Sequence, residues 1–133
     1  MSETEEVVTG ADGLDLFRCA WPTAECRAAV VLLHGYGEHC GRYEALVEAL
    51  NNAEICVFSY DQRGHGRSAG RRAYVSAFEG LVPDAVSAIR WARERCPDVP
   101  VFLLGHSMGG ALAALVAIEH GDLLDGLVLS APS

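Results

Sequence analysis

Residues 101–120 read VFLLGHSMGGALAALVAIEH, which is an apolar run, a short glycine-rich segment and then a stretch dominated by Ala and Leu. The order predicts a buried strand over residues 101–104, a tight turn, and a helix from about Ser107 to His120. Residues 101–118 are uncharged for about the length of a membrane span. The glycines at their centre favour a turn, so we expect no transmembrane segment.

The turn itself contains the pattern G-x-S-x-G, with Gly105, Ser107 and Gly109 at the three defined positions. A serine placed between a strand and a helix in this way is typical of a nucleophile elbow, in which the hydroxyl is exposed on a strained turn. The glycines leave room where a Cβ would collide with neighbouring backbone. The helix N-terminus directs N–H groups at a developing oxyanion. We therefore predict Ser107 as the nucleophile and the backbone N–H of Met108 as an oxyanion donor.

A second glycine-rich segment, HGYGEH at residues 34–39, follows the apolar run AAVVLL at residues 28–33. In enzymes with a serine elbow, the loop after an earlier strand supplies the other oxyanion N–H. Glycines on both sides of Tyr36 allow such a loop to turn its backbone inward. We predict the backbone N–H of Tyr36 as the second donor.

The segment DQRGHGRS at residues 61–68 follows another apolar run, residues 55–60. We interpret it as a structural loop in which Asp61 and Arg63 form a partly buried ion pair, while Gly64 and Gly66 let the chain fold tightly. His65 lies within this scaffold and precedes the predicted nucleophile, so it is a poor candidate for a catalytic base. The neighbouring arginines are interpreted as a solvated face.

The rest of the chain alternates between strand and helix patterns. Short strands are predicted at residues 6–9 and 14–21, joined by a turn at residues 10–13, and a last strand at residues 126–130. Two amphipathic helices are predicted, one ending at residues 51–52 and one with Pro83 and Asp84 in its first turn; the apolar positions of the first are Tyr43, Leu46, Val47 and Leu50.

This alternation predicts the α/β class, with parallel βαβ units and right-handed crossovers. We see no internal repeat and no second domain. Residues 1–6 are interpreted as an acidic tail and residues 7–133 as part of one domain.

Composition narrows the function classes. The 133 residues are 50% hydrophobic and 21% charged, which is typical of a globular protein. The formal net charge is -8, which argues against a nucleic-acid partner. All ten basic side chains are Arg, so a phosphate-loop lysine and a Schiff-base lysine are both excluded.

The five cysteines are an odd number without a C-x-x-C pair, which fits neither a disulfide framework nor a zinc ribbon. We interpret them as reduced core or surface thiols in a reducing compartment. The start of the chain is acidic where a signal or transit peptide would be basic. A cytoplasmic location follows as an expectation. The cysteines are Cys19, Cys26, Cys40, Cys56 and Cys96.

Taken together, the motifs resemble the monoacylglycerol lipase and lysophospholipase-like branch of the α/β-hydrolases. The resemblance implies an α/β-hydrolase fold with a mostly parallel sheet flanked by helices. It also implies hydrolysis of carboxylic esters of small lipid-like substrates, Ser107 as nucleophile, Tyr36 and Met108 as oxyanion donors, and no metal or organic cofactor. The motifs are LHGYGEH at 33–39, GRY at 41–43, DQRGHGRS at 61–68, GHSMGG at 105–110 and GLVLSAP at 126–132.

The remaining members of a catalytic triad are not expected in this chain. In this fold the order is Ser, then Asp or Glu, then His. After Ser107 only one histidine follows, His120, and a helix would carry it roughly 20 Å away. Asp122 and Asp125 have no later histidine to orient. The resemblance implies that the cap, the later strands, the triad acid and the triad base lie beyond these residues, which leaves the strand at 126–130 on an open sheet edge.

Two other functions remain open at this point. One is a non-catalytic α/β-hydrolase-like module that binds a ligand or partner. The other is a peptidase, thioesterase or acyltransferase on the same scaffold, because one fold hosts many chemistries. If the protein is a lipid ester hydrolase, we expect peripheral membrane contact through the cap.

Overall fold

The computed structural model describes residues 3–10, 12–74 and 77–133. Within these residues the chain forms six strands, three α-helices and three short 3-10 helices. The strands are β1 (Thr4–Thr9), β2 (Asp15–Trp21), β3 (Ala28–Leu33), β4 (Ile55–Tyr60), β5 (Val101–His106) and β6 (Gly126–Ser130); the α-helices are α1 (Glu44–Asn52), α2 (Val82–Arg95) and α3 (Met108–His120); the 3-10 helices are Cys40–Tyr43, Phe78–Leu81 and Gly121–Leu123.

The strands form one sheet in the order β1-β2-β4-β3-β5-β6. The pairs β1/β2 and β2/β4 are antiparallel, whereas β4/β3, β3/β5 and β5/β6 are parallel. Each parallel connection passes through a helix, as the βαβ pattern of the sequence predicts. The predicted α/β class, with a mostly parallel sheet flanked by helices, is confirmed.

Helices cover both faces of the sheet, and β3 shows how its sequence permits this. All six residues of β3 are buried, because successive side chains point to opposite faces. Val31 and Leu33 pack in the cluster that includes residues of α2 and α3. Leu32 packs on the other face with Val47 of α1. A strand buried on both faces needs a continuous apolar run, which is what residues 28–33 provide.

The acidic tail predicted at residues 1–6 is corrected in part. β1 begins at Thr4, two residues before the predicted start at Glu6, so residues 4–6 belong to the sheet. They pair with residues 18–20 of β2, and Arg18 Nη2 lies 2.6 Å from Glu6 Oε1. Cross-strand hydrogen bonds and this ion pair hold a segment whose composition alone indicates a loose tail. Met1 and Ser2 of the predicted tail, and Ala11 of the predicted turn, lie outside the described residues.

β6 lies at one edge of the sheet, as the sequence predicts. Three consecutive apolar side chains of this strand are exposed: Leu127 by 39%, Val128 by 48% and Leu129 by 40%.

No helix within residues 3–10, 12–74 and 77–133 is long and apolar enough to span a bilayer.

Candidate active site

Ser107 lies at the junction between β5 and α3 with a strained backbone. Its dihedral angles are φ 56° and ψ −118°, a region that residues with a side chain seldom adopt. Such a conformation costs on the order of 1–3 kcal/mol and persists only where the surrounding structure imposes it. The elbow geometry predicted from G-x-S-x-G is therefore present at Ser107.

The glycines around Ser107 make this turn sterically possible. A Cβ on Gly105 would overlap the carbonyl oxygen of Gly109 and lie 2.8 Å from the Cα of Gly110. A Cβ on Gly109 would overlap the carbonyl oxygen of Leu33 at the end of β3. The helix thus approaches the neighbouring strand backbone more closely than any larger residue would allow.

Hydrogen bonds to backbone groups hold Ser107 from both sides. Its N–H donates to the carbonyl oxygen of Ser130 in β6 at 3.0 Å, and its own carbonyl accepts from Gly110 N–H at 2.9 Å and from Ser133 N–H at 3.1 Å. Its hydroxyl lies 3.5 Å from the hydroxyl of Ser133. Ser107 as a residue is half-buried.

The predicted oxyanion loop contacts this elbow. A Cβ on Gly35 would lie 3.2 Å from the Cβ of Ser107 and 3.3 Å from the carbonyl oxygen of His106. Tyr36 follows directly, and Met108 is the first residue of α3, so its N–H has no acceptor within the helix. The structure thus brings the predicted nucleophile and both predicted donor residues into one region.

The side chain of Tyr36 is directed away from the core. It is 62% exposed, and its hydroxyl donates to the carbonyl oxygen of Ala73 at 2.9 Å. Its ring also meets the edge of the His65 ring, with the centroids 5.6 Å apart. These contacts anchor Tyr36 through its side chain and leave its backbone role as a prediction.

Glu38 holds the oxyanion loop in a way that sequence reasoning missed. The segment from Gly35 to Glu38 is a turn closed by a 3.1 Å bond from Glu38 N–H to the Gly35 carbonyl, with Gly37 at φ 75° as a type II turn requires. Glu38 Oε1 accepts hydrogen bonds from Gly35 N–H at 2.8 Å and from the Tyr43 hydroxyl at 2.6 Å.

Burial opposes ionisation of the Glu38 carboxyl, but the hydrogen bonds from Tyr43 and Gly35 outweigh it and keep the pKa below its ordinary value. Glu38 is therefore a charged acceptor at neutral pH. The spacing G-x-G-E at residues 35–38 could have indicated this role. A turn over these four residues brings the Glu38 side chain back to the N–H of Gly35.

His34 joins the oxyanion loop to the loop after β4. It is fully buried, and its Nε2 accepts a hydrogen bond from Gln62 N–H at 2.9 Å. The proton is therefore on Nδ1, which donates to the Gly35 carbonyl at 2.8 Å. The side-chain Nε2 of Gln62 in turn donates to the backbone carbonyl oxygen of His34 at 2.7 Å. Burial lowers the pKa of His34, so the ring is neutral and serves as a structural link.

The predicted Asp61–Arg63 ion pair is wrong. Arg63 binds Asp84 in the first turn of α2 through two bonds, Nε to Oδ2 at 2.8 Å and Nη2 to Oδ1 at 3.0 Å, and binds Asp12 at 2.7 Å. Asp61 accepts instead from the backbone N–H groups of Cys40 and Arg67, both at 2.8 Å. The loop turns the buried Asp61 carboxylate onto backbone donors, while the longer Arg63 side chain reaches the neighbouring helix.

The predicted structural glycines of this loop do have unusual backbones. Gly64 has φ 79° and Gly66 has φ 50°, both in the left-handed region. A Cβ on Gly66 would also overlap the Asp61 carboxylate and lie 2.9 Å from the Cβ of His39. Tight folding of the loop around Asp61 therefore requires glycine at this position.

The histidines of the chain make other contacts. His106 Nδ1 lies 3.0 Å from the Ser130 hydroxyl, and His65 Nδ1 lies 3.2 Å from the Arg63 carbonyl oxygen. His120 is the last residue of α3. Within the described parts of the chain, neither a histidine nor a carboxylate is hydrogen-bonded to the Ser107 hydroxyl. The predicted nucleophile and its predicted oxyanion donors thus lie together without a base bonded to the Ser107 hydroxyl.

Comparison with known proteins shows the family to which this chain belongs. A family model described as serine aminopeptidase, S33, matches residues 24–133. The monoglyceride lipase of Mus musculus is 44% identical over 126 residues, which cover 94% of this chain and 42% of that protein.

Solved structures of similar proteins have the same fold over most of this chain. The monoacylglycerol lipase of Paleococcus ferrophilus has a TM-score of 0.76 at 39% identity, covering 88% of this chain and 43% of its own. A thermostable carboxyl esterase from Bacillus coagulans, solved with glycerol, has a TM-score of 0.87 at 28% identity. The match covers 97% of this chain and 44% of the esterase. The chain spans less than half the length of these relatives. It belongs to the serine aminopeptidase S33 family of α/β-hydrolases.

Proposed function

We propose that this chain carries the nucleophile and the oxyanion donors of a serine hydrolase that cleaves carboxylic esters of lipid-like substrates, monoacylglycerols or lysophospholipids. The observation that carries the proposal is the strained backbone of Ser107, at φ 56°, in contact with the glycine loop that precedes Tyr36. The 44% identity to a monoglyceride lipase supports the substrate class.

In the proposed reaction, the Ser107 hydroxyl oxygen attacks the ester carbonyl carbon and loses its proton to a base. The carbonyl oxygen becomes an oxyanion that accepts hydrogen bonds from the backbone N–H groups of Tyr36 and Met108. The alcohol leaves with a proton, and water then releases the fatty acid from the acyl-enzyme on Ser107. The role of Glu38 is to hold Gly35, and with it the loop that presents Tyr36.

The same geometry predicts that the 133-residue chain reacts slowly by itself. A serine hydroxyl is a weak nucleophile at neutral pH without a base bonded to it. Loss of a triad partner lowers the turnover of serine hydrolases by about 10⁴-fold or more. The proposal therefore assigns the triad acid and base to residues outside this chain.

Labelling by a fluorophosphonate probe tests the nucleophile. We expect the chain to be labelled at least about 10³-fold more slowly than a complete serine hydrolase, because its base is missing. Labelling should disappear in Ser107→Ala and persist in Ser133→Ala, a matched control whose hydroxyl lies 3.5 Å from that of Ser107. Labelling at the rate of a complete enzyme would disprove the missing triad. Labelling that persists in Ser107→Ala would disprove the nucleophile.

The name of the matching family keeps peptidase activity as the second candidate function. The two are distinguished in the full-length product of the reading frame that encodes this chain. We expect release of fatty acid from a monoacylglycerol, which should be lost in Ser107→Ala, and no release of the amine from an aminoacyl amide. Cleavage of the amide alone would favour the peptidase.

A further inference from the structure

Three cysteines that are distant in the sequence meet beside the N-terminal ends of the central parallel strands. Cys26 lies in the segment before β3, Cys56 is the second residue of β4, and Cys96 follows the last residue of α2. All three lie near the N-terminal ends of the parallel strands. Ser107 follows the C-terminal end of β5, so roughly 20 Å of strand separates this cluster from the candidate active site.

The separations of the sulfur atoms are those that one bound cation requires. The Sγ atoms of Cys26, Cys56 and Cys96 all lie within 4.8 Å of one another, and the Cys26–Cys96 distance is 3.8 Å. Zinc–thiolate bonds of about 2.3 Å in a tetrahedron place neighbouring sulfur atoms about 3.8 Å apart. A disulfide bond would need about 2.05 Å and would use only two of the three sulfurs.

The surroundings suit a metal ion as well. Cys56 is buried, whereas Cys26 and Cys96 are half-buried and give an ion access from solvent. The N–H of Thr23 points at Cys56 Sγ at a distance of 3.4 Å. Backbone N–H groups of this kind stabilise metal-bound thiolates by taking up part of their negative charge.

We propose that Cys26, Cys56 and Cys96 bind one thiophilic cation of the Zn²⁺ type through three thiolates, with a water molecule as the fourth ligand. Three S–H bonds break and three metal–sulfur bonds form. The three protons pass to solvent, so the occupied site carries a net charge of −1. No oxidation or reduction takes place.

Burial raises the pKa of Cys26 and raises that of Cys96 to about 12, so without an ion these side chains are neutral thiols. The ion would join the segment before β3 to the start of β4 and the end of α2. Its effect is therefore on stability, because an ion that binds only the folded chain shifts the folding equilibrium.

Cadmium binding tests the site, since Cd²⁺ shares the preference of Zn²⁺ for thiolates and absorbs in the ultraviolet when bound to sulfur. We expect the reduced 133-residue chain to bind one equivalent of Cd²⁺, and Cd²⁺ to displace bound Zn²⁺ because the softer ion binds thiolates more tightly. The half-buried thiols of Cys26 and Cys96 should become protected from a thiol reagent, and the thermal unfolding midpoint should rise.

Variants assign the ligands. Cys26→Ala and Cys96→Ala, both at half-buried positions, should each weaken Cd²⁺ binding by at least about 100-fold and abolish the shift in unfolding midpoint. Cys19→Ala tests the alternative location, because Cys19, Glu3 and Glu5 form the other group of possible metal ligands among the described residues. It should leave binding unchanged.

Three results would overturn the proposal. The first is the absence of Cd²⁺ binding by the folded, reduced chain. The second is unchanged binding in both Cys26→Ala and Cys96→Ala, or its loss in Cys19→Ala. The third is a purified protein two hydrogen atoms lighter with Cys26 cross-linked to Cys96, which would show a disulfide at this place.

Discussion

The backbone of Ser107 stores strain that its neighbours must offset. A φ of 56° at a residue with a side chain is unfavourable by itself. The hydrogen bond to Ser130 of β6 and the start of α3 at Met108 hold the turn, while Gly105 and Gly109 admit the close backbone contacts. The backbone geometry of Ser107 therefore depends on residues that take no part in the proposed chemistry.

Gly109→Ala should destabilise the fold severely. The new Cβ would overlap the Leu33 carbonyl oxygen and lie 2.6 Å from that of His34, and neither backbone group can rotate away. We expect a loss of at least about 3 kcal/mol in the free energy of unfolding, the upper end of the range for overpacked sites. Denaturant unfolding followed by circular dichroism measures this loss.

Gly121→Ala is the matched control, since a Cβ at Gly121 meets no atom within 4 Å and its φ of −59° suits any residue. We expect it to change the free energy of unfolding by less than about 1 kcal/mol. Equal losses in the two variants would contradict the packing argument for Gly109.

Among the secondary-structure elements, the loop at residues 61–68 is held to α2 by Arg63. Its guanidinium donates two parallel hydrogen bonds to the two carboxylate oxygens of Asp84, which makes the ion pair bidentate. The Asp84 side chain is only 6% exposed. The same guanidinium reaches Asp12, whose side chain is 54% exposed. One arginine therefore fastens the loop through two partners of very different burial.

Asp84→Ala and Asp12→Ala should accordingly have unequal effects. Removing Asp84 leaves a partly buried guanidinium without its bidentate partner, and we expect a loss of about 2–3 kcal/mol in the free energy of unfolding. Removing Asp12 deletes an ion pair exposed to solvent, so we expect a much smaller loss. Urea titrations of both variants decide the point, and a larger loss for Asp12→Ala would reverse our assignment.

At the scale of the whole molecule, the two sheet edges differ. β6 presents Leu127, Val128 and Leu129 to solvent without a charged residue, whereas β1 carries Glu5 and Glu6. An apolar edge strand with free backbone groups is a template for pairing with another chain. We therefore expect the isolated 133-residue chain to be marginally stable and to associate through β6.

Val128→Lys should reduce this association, because a charge on an edge strand disfavours pairing between chains. Val7→Lys on β1 is the matched control, at a valine that is 62% exposed, and should leave association unchanged. Sedimentation over a range of concentrations measures both. A monomeric sedimentation profile together with cooperative thermal unfolding of the unmodified chain would contradict the prediction.

Local patterns carried much of the fold. The apolar runs at residues 28–33 and 55–60 coincide with β3 and β4, and the strand predicted at residues 126–130 coincides with β6, because each is a short apolar segment bounded by residues that end a strand. The elbow at Ser107 was predictable for a similar reason: a strand, two glycines and a helix in this order permit few other backbones. β1 was less well predicted, since its pairing rather than its composition makes residues 4–6 a strand.

By itself, then, the amino-acid sequence determined the α/β class, the order of strands and helices, the serine turn and its family. Only the tertiary structure decided which side chains meet. Arg63 binds Asp84 rather than Asp61, and His34 accepts a hydrogen bond from Gln62 N–H. The sulfur atoms of Cys26 and Cys96 lie close together although the two residues are 70 positions apart in the sequence. Strands and turns follow from interactions between near neighbours, whereas these contacts depend on how the sheet stacks distant segments, which no local pattern records.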